Sequence, residues 1–214
     1  MIPAAQHKAS GSQGPGLWEP AWSAGRFPSG AAGAPAALLH QVGRLDAELL
    51  AHGQRVASLC QRLGVRLGLG VADLADLRLA AELHDIGKLD LPTTAHHRAG
   101  PLRASERAVV RAHAVLGERR VRATLQVSPA VLGAIRHHHE HWNGEGYPDG
   151  LRGRQIPLLA RIVAVCDVYD ALRSARSYKP AWTRQETCAE LRRCAGRQFE
   201  AGLVHALLSM LDEG

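Results

Sequence analysis

AALLHQVGRLDAELLAHGQRVASL, residues 36–59, sets the architecture. Leu38, Leu39, Val42, Leu45, Leu49 and Val56 recur at spacings of three and four, the period of a helix with one apolar face. The same period runs through about 73–86, 104–122, 129–141, 157–174, 184–195 and 200–212. Local punctuation agrees with these bounds. Ser128 before Pro129 reads as an N-cap with proline at the first helical position, and Thr183 to Glu186 fits a capping box. Turn-rich loops surround Gly64, Gly68 and Gly70, and the longest, NGEGYPDGLRG, covers 143–153. With no internal repeat and no strand pair, the fold class is all-α: a helical bundle with one long ordered loop.

Residues 1–35 are rich in Gly, Ala and Pro and lack helical periodicity, so they read as a flexible N-terminal tail ahead of one domain at 36–214. Trp18 and Trp22, in LWEPAW, form either a small docking turn or part of a collapsed segment. No stretch holds the roughly 20 consecutive apolar residues of a membrane span, and the N-terminus lacks the layout of a signal peptide. A cytoplasmic protein without a membrane span is expected. Cys60, Cys166, Cys188 and Cys194 lack C-x-x-C spacing and sit in helical segments, so they read as reduced, partly buried thiols. The net charge of +6 is almost all arginine, with lysine only at 8, 88 and 179. That balance suits an anionic ligand. The arginines are dispersed along the helices without interleaved aromatics, however, which argues against a nucleic acid polymer as partner.

The chain holds 12 histidines, and their placement carries the chemistry. Glu48 and His52 are i and i+4 on one helix, so both project from one face and could grip one metal ion. His84 and Asp85 end the apolar run LRLAAEL, placing an imidazole beside a carboxylate able to bridge two ions. His113 lies in RAVVRAHAVLG, and His137, His138 and His139 close a further helix. Asp167 interrupts the apolar helix RIVAVCDVYDAL, where a carboxylate is costly to bury unless something positive pairs with it. That partner is either a metal ion or an arginine such as Arg136 or Arg161. Asp170, three residues further on, faces roughly the same way. It reads as the acceptor of a structural hydrogen bond or as the group that orients a ligating histidine. Imidazoles and carboxylates spread over successive helices are what a site for two or more divalent ions needs, since no single helix can surround them.

HDIGK at 84–88, HHE at 138–140 and GYPDG at 146–150, in this order and at this separation, resemble the HD-GYP family of phosphodiesterases, and the similarity runs from about Glu48 to about Phe199. The resemblance implies an HD-domain helical bundle that hydrolyses cyclic di-GMP, with either pGpG or GMP as the final product, by attack of a hydroxide bridging two metal ions. Carried over residue by residue, it implies His52, His84, Asp85, His113, His138, His139 and Asp167 as metal ligands. Glu48 matches an additional carboxylate suited to a third ion. The implied cofactors are thus two or three divalent ions, iron or manganese. Asp85 and Lys88 would be catalytic, Lys88 lying one helical turn from His84 with its ammonium toward phosphate. Lys88, Tyr147, Arg176 and Lys179 would bind substrate. Ala114, Ala175 and Glu200 depart from the family pattern without removing a ligand. Two other readings stand beside this one: a phosphohydrolase for another cyclic dinucleotide or a nucleotide, and a non-catalytic adaptor that binds metal or nucleotide and meets a signalling protein through the GYP loop.

Overall fold

The computed structural model describes residues 33–92, 103–175 and 180–213; Trp18, Trp22, Arg176 and Lys179 lie outside them. The helices are α1 (Ala34–Leu45), α2 (Ala47–Arg66), α3 (Val71–Leu83), α4 (Ala104–Arg111), α5 (His113–Thr124), α6 (Pro129–His137), α7 (Leu158–Arg173), α8 (Arg184–Cys194) and α9 (Ala201–Asp212). Short 3-10 turns span Ile86–Asp90 and Gly153–Gln155. The sole β pairing among the described residues is an isolated bridge between Ala195 and Phe199. The all-α expectation holds.

Helices α2, α3, α6 and α7 form the centre: α2 packs on α3 and α7, and α6 on α3, α5 and α7. Val56, Cys60 and Leu63 of α2 meet Leu77 and Ala80 of α3, Ile135 of α6, and Ile162, Val165 and Cys166 of α7 in one core of fully buried side chains. Each large aliphatic side chain so buried contributes about 1.5–3 kcal/mol. Helix α7 is buried on nearly every side from Leu159 to Cys166, which is why its sequence shows so little polar striping. All four cysteines are free and buried, more deeply than expected. Among the described residues no helix is long and apolar enough to cross a membrane.

Several boundaries depart from the periodicity. The apolar repeat through 36–59 is broken at Asp46, whose extended backbone (φ −151°) lets its carboxylate accept from the Leu49 N–H at 2.9 Å and cap α2. The 104–122 stretch is two helices, α4 and α5, parted at Ala112. Gly64 lies within α2 rather than in a loop, and a Cβ there would come within 2.7 Å of the Leu74 side chain. Two predicted helices stop short, at Leu83 and His137, so that His84 and His138 stand where the chain turns. Asp85 follows with φ −99° and ψ 3°, the bridge region common at functional turns. The expected caps form: Ser128 accepts from the Val131 N–H, and Thr183 and Glu186 make a reciprocal box.

Glycines set two of the close approaches around the centre. A Cβ on Gly53 would lie 2.7 Å from the Glu82 carbonyl oxygen, so glycine after His52 lets α2 approach the end of α3. A Cβ on Gly87 would lie 2.0 Å from the His113 carbonyl oxygen and 2.4 Å from the Gly117 nitrogen. The turn after His84 and Asp85 therefore lies directly on α5, which carries His113.

Candidate metal centre

One hydrogen-bond pattern recurs around the interior. The Nδ1–H of His84 donates to the Ala81 carbonyl (2.7 Å), that of His113 to Val110 (2.6 Å), and that of His138 to Ile135 (2.7 Å). A carbonyl oxygen only accepts, so each ring carries a proton on Nδ1, and Nε2 is the nitrogen left to meet a cation. His52 reaches the same state by another route, its Nδ1 lying 2.7 Å from Asp170 Oδ2. Four imidazoles thus present Nε2 inward.

Those nitrogens converge on two carboxylates. His113 Nε2 is 3.3 Å from Asp85 Oδ1 and His84 Nε2 is 3.4 Å from Asp85 Oδ2. Asp167 Oδ1 lies 3.1 Å from His52 Nε2 and 3.7 Å from His84 Nε2. His52, His84 and Asp85 offer ligand atoms within 4.8 Å of one another, and so do Asp85, His113, His138 and His139, with Asp85 common to both groups. Arg136 and Arg161 are engaged with Asp149 and Glu200, so neither is the partner that Asp167 requires.

The donor set fits divalent cations. His84 Nε2 and Asp85 Oδ1 are buried and make no hydrogen bond. The Nε2 atoms of His113 and His138 stand 3.3 Å apart, and with both protons on Nδ1 they are two lone pairs converging on one region. Such groups are costly to bury unless a cation answers them.

The electrostatics point the same way. Burial would raise Asp85, but Lys88 and His84 hold it well below the ordinary carboxylate range. Burial would raise Asp167 too, and His52 and His84 outweigh it in the same direction. Burial, with His139 and His84 beside it, takes His138 well below the usual imidazole range, and burial with His113 brings His139 down to about 3. Burial also works to depress His84, but the carboxylates of Asp85 and Asp167 outweigh it and raise the imidazole to about 10. The same negative field that favours a proton on His84 favours a metal ion there. Carboxylates fixed as anions beside imidazoles, His138 and His139 among them held neutral, are the oxygen and nitrogen donors that first-row divalent ions take.

The remaining expected residues fall into place unequally. The Lys88 ammonium hydrogen-bonds Asp85 Oδ2. The Tyr147 ring stacks on His139 with centroids 4.8 Å apart, at the rim of the centre. Glu48 is exposed on the first turn of α2 and belongs to neither ligand group.

A model of the HD domain matches residues 35–203. The chain belongs to the HD-domain family. Its HDIGK and GYPDG motifs put it in the HD-GYP branch. It is 41% identical over 167 residues to the 3'3'-cGAMP-specific phosphodiesterase 2 of Vibrio cholerae, covering 76% of this chain and 31% of that one. The cyclic di-GMP phosphodiesterase response regulator RpfG of Xanthomonas campestris is 40% identical, covering 72% of this chain and 41% of its own. The HD domain therefore spans less than half the length of these relatives. Among solved structures, Bd1817, an HDG"Y"P protein from Bdellovibrio bacteriovorus, shares the fold at a TM-score of 0.65 and 24% identity, over 85% of this chain and 57% of its own.

Three residues of this HD domain acquire a place that the sequence analysis did not assign. Arg55, one turn after His52, binds both oxygens of Asp170 (2.8 and 2.9 Å). Glu140, only 3% exposed, accepts from the N–H groups of Asp149 (2.7 Å) and Leu151 (3.1 Å) and so holds the GYP loop. The loop also has a cis Tyr147–Pro148 peptide and positive φ at Gly144 and Gly150. The Arg111 guanidinium lies over the Tyr147 ring, 4.9 Å from its centroid. Arg55 lies one turn after His52 and Glu140 closes the HHE motif, and those placements were the signals available.

Proposed function

We propose that this chain is the catalytic domain of a cyclic dinucleotide phosphodiesterase, with cyclic di-GMP as its main substrate and either pGpG or GMP as the final product. The observation that carries the reading is the convergence of inward-facing Nε2 atoms on Asp85 and Asp167, with His84 Nε2 and Asp85 Oδ1 buried without hydrogen bonds. The names of the relatives supply the substrate class.

In this reading His52, His84, Asp85 and Asp167 would hold one divalent ion and Asp85, His113, His138 and His139 a second, Asp85 being common to both groups. Bound there, such ions would acidify water and polarise the phosphoryl oxygens of the substrate. Lys88, tethered to Asp85, fixes that carboxylate and meets the anionic phosphate with its ammonium. His138 and His139, kept neutral by burial, are competent ligands at neutral pH. The assignment uses two ions, iron or manganese, because Glu48 is turned to solvent. Arg176 and Lys179 are proposed to contact substrate on the family resemblance alone. A protein partner at the GYP loop has no support among the described residues.

The experiment is metal content and turnover on one preparation, beside Asp85→Ala. About two ions per chain, with cyclic di-GMP cleaved by the native protein and both signals lost in the variant, is the expected result; a metal-loaded protein that cleaves no cyclic dinucleotide overturns it. The 41% identity to a 3'3'-cGAMP-specific enzyme makes 3'3'-cGAMP the second substrate to assay.

A further inference from the structure

Beside the metal centre opens a cleft of about 550 Å³, between Arg107, Ala108, Arg111 and Val115 of the α4–α5 corner and Tyr147 and Pro148 of the GYP loop. That volume is in the range of small-ligand sites. The break at Ala112, which the helical period concealed, creates the corner. Tyr147 is the wall shared with the metal centre: its ring stacks on His139 and lies 6.5 Å, centroid to centroid, from that of His113. The cleft and the ion-binding residues therefore share Tyr147 between them.

The lining is specific in kind. Two guanidinium-bearing residues stand over small apolar side chains, and none of the described residues that line the cleft is a carboxylate. Arg111 is laid on the Tyr147 ring, a placement that leaves guanidinium N–H edges available for two oxygens of one phosphate while holding the group in position. Ala108, Ala112, Val115 and Pro148 supply an apolar floor that matches the face of a purine. A small monophosphate ester needs none of this; a ligand with a second base and a second phosphate uses all of it.

We infer that this cleft holds the second nucleotide of a cyclic dinucleotide while the phosphate to be cleaved lies at the His/Asp centre, with Arg111 as the specificity-determining contact to the second phosphate. The inference rests on the phosphodiesterase reading and extends it to residues on α4.

The test compares Arg111→Ala, Arg111→Lys and Arg107→Ala with the native protein on cyclic di-GMP and on bis(p-nitrophenyl) phosphate, which has one phosphate, with metal content measured throughout. Arg111→Ala should raise KM for cyclic di-GMP at least tenfold, with a much smaller effect on kcat/KM for the small diester and the same metal content. Arg111→Lys should recover part of the loss, and Arg107→Ala should show a weaker effect of the same form. Parallel losses on both substrates would overturn the assignment, because Arg111 would then act through Tyr147 on the centre itself. An unchanged KM for cyclic di-GMP would place the cleft outside the substrate path. A native protein that cleaves the small diester and no cyclic dinucleotide would sink the substrate reading, and the cleft's role with it.

Discussion

His52 and Asp170, 118 residues apart in sequence, meet at 2.7 Å between Nδ1 and Oδ2, on the far side of the imidazole from the metal centre. Asp170 is itself held by both guanidinium contacts from Arg55. The chain of Arg55, Asp170 and His52 sets the proton on Nδ1 and aims Nε2 at Asp167, 3.1 Å away. Asp170→Asn keeps the volume but removes the charge that Arg55 and His52 share. It should weaken metal binding about 10- to 100-fold, the usual effect of losing the group that orients a ligand. Metal titration of the variant measures this, and an unchanged affinity would reduce Asp170 to a structural hydrogen bond.

Glu140 holds the loop that carries Tyr147. Its buried carboxylate is the acceptor for two backbone N–H groups, so Glu140→Ala would strand both at a cost of about 1–3 kcal/mol each. Amide exchange should accelerate at Asp149 and Leu151, and KM for the dinucleotide should rise. Glu140→Gln, retaining one acceptor oxygen, should lie between the two. Unchanged exchange in the alanine variant would contradict the assignment.

Asp149 anchors the same loop from outside, through Arg136 at 2.7 and 2.8 Å and His137 at 2.8 Å. The Arg136 hydrogen bonds, with His137 adding to them against a small effect of burial, hold its carboxyl below the ordinary range. A depressed folded pKa means that the contribution is complete above the unfolded carboxylate value of about 4 and is lost as pH falls through the lower, folded value. The pair is partly exposed, so Asp149→Asn should cost under about 1 kcal/mol at neutral pH. The difference in Tm between native protein and variant should stay constant from about pH 8 to 6 and narrow below about pH 4. A difference that widens on acidification would reverse the sign of the linkage.

Gly87 is the contact through which the turn after Asp85 reaches α5. The Cβ of Gly87→Ala would overlap the His113 carbonyl and the Gly117 nitrogen, backbone atoms that cannot rotate away. The variant should lose about 3 kcal/mol of stability. Because the strain falls between Asp85 and His113, metal content should drop with it. Thermal melts with and without added manganese would separate the two effects, and a variant of native stability would show that the approach is looser than this packing implies.

Much of the fold was legible because helix formation is encoded locally. Spacings of three and four, Ser128 before Pro129, and the Thr183–Glu186 box each depend on residues within a turn or two of one another, and the structure bears them out. The order of HDIGK, HHE and GYPDG likewise sufficed to name the family and the histidines and aspartates to watch. The breaks at Asp46 and Ala112 escaped because the apolar period continues across them; a side-chain cap and a corner, rather than a change of pattern, part the helices there.

The site's finer design was not in the local pattern at all. That Asp167 faces imidazoles and not Arg136 or Arg161, that Glu48 points to solvent, and that Arg55 holds Asp170 all depend on how α2 lies against α7. That Arg111 covers Tyr147 depends on how the GYP loop folds over the α4–α5 corner. Residue types and helical faces follow from the sequence, since each is set by neighbours along the chain. Which lone pair meets which proton or ion is decided only when separate helices pack, because hydrogen bonds and Coulomb forces act over a few ångströms between groups that the chain itself holds more than a hundred residues apart.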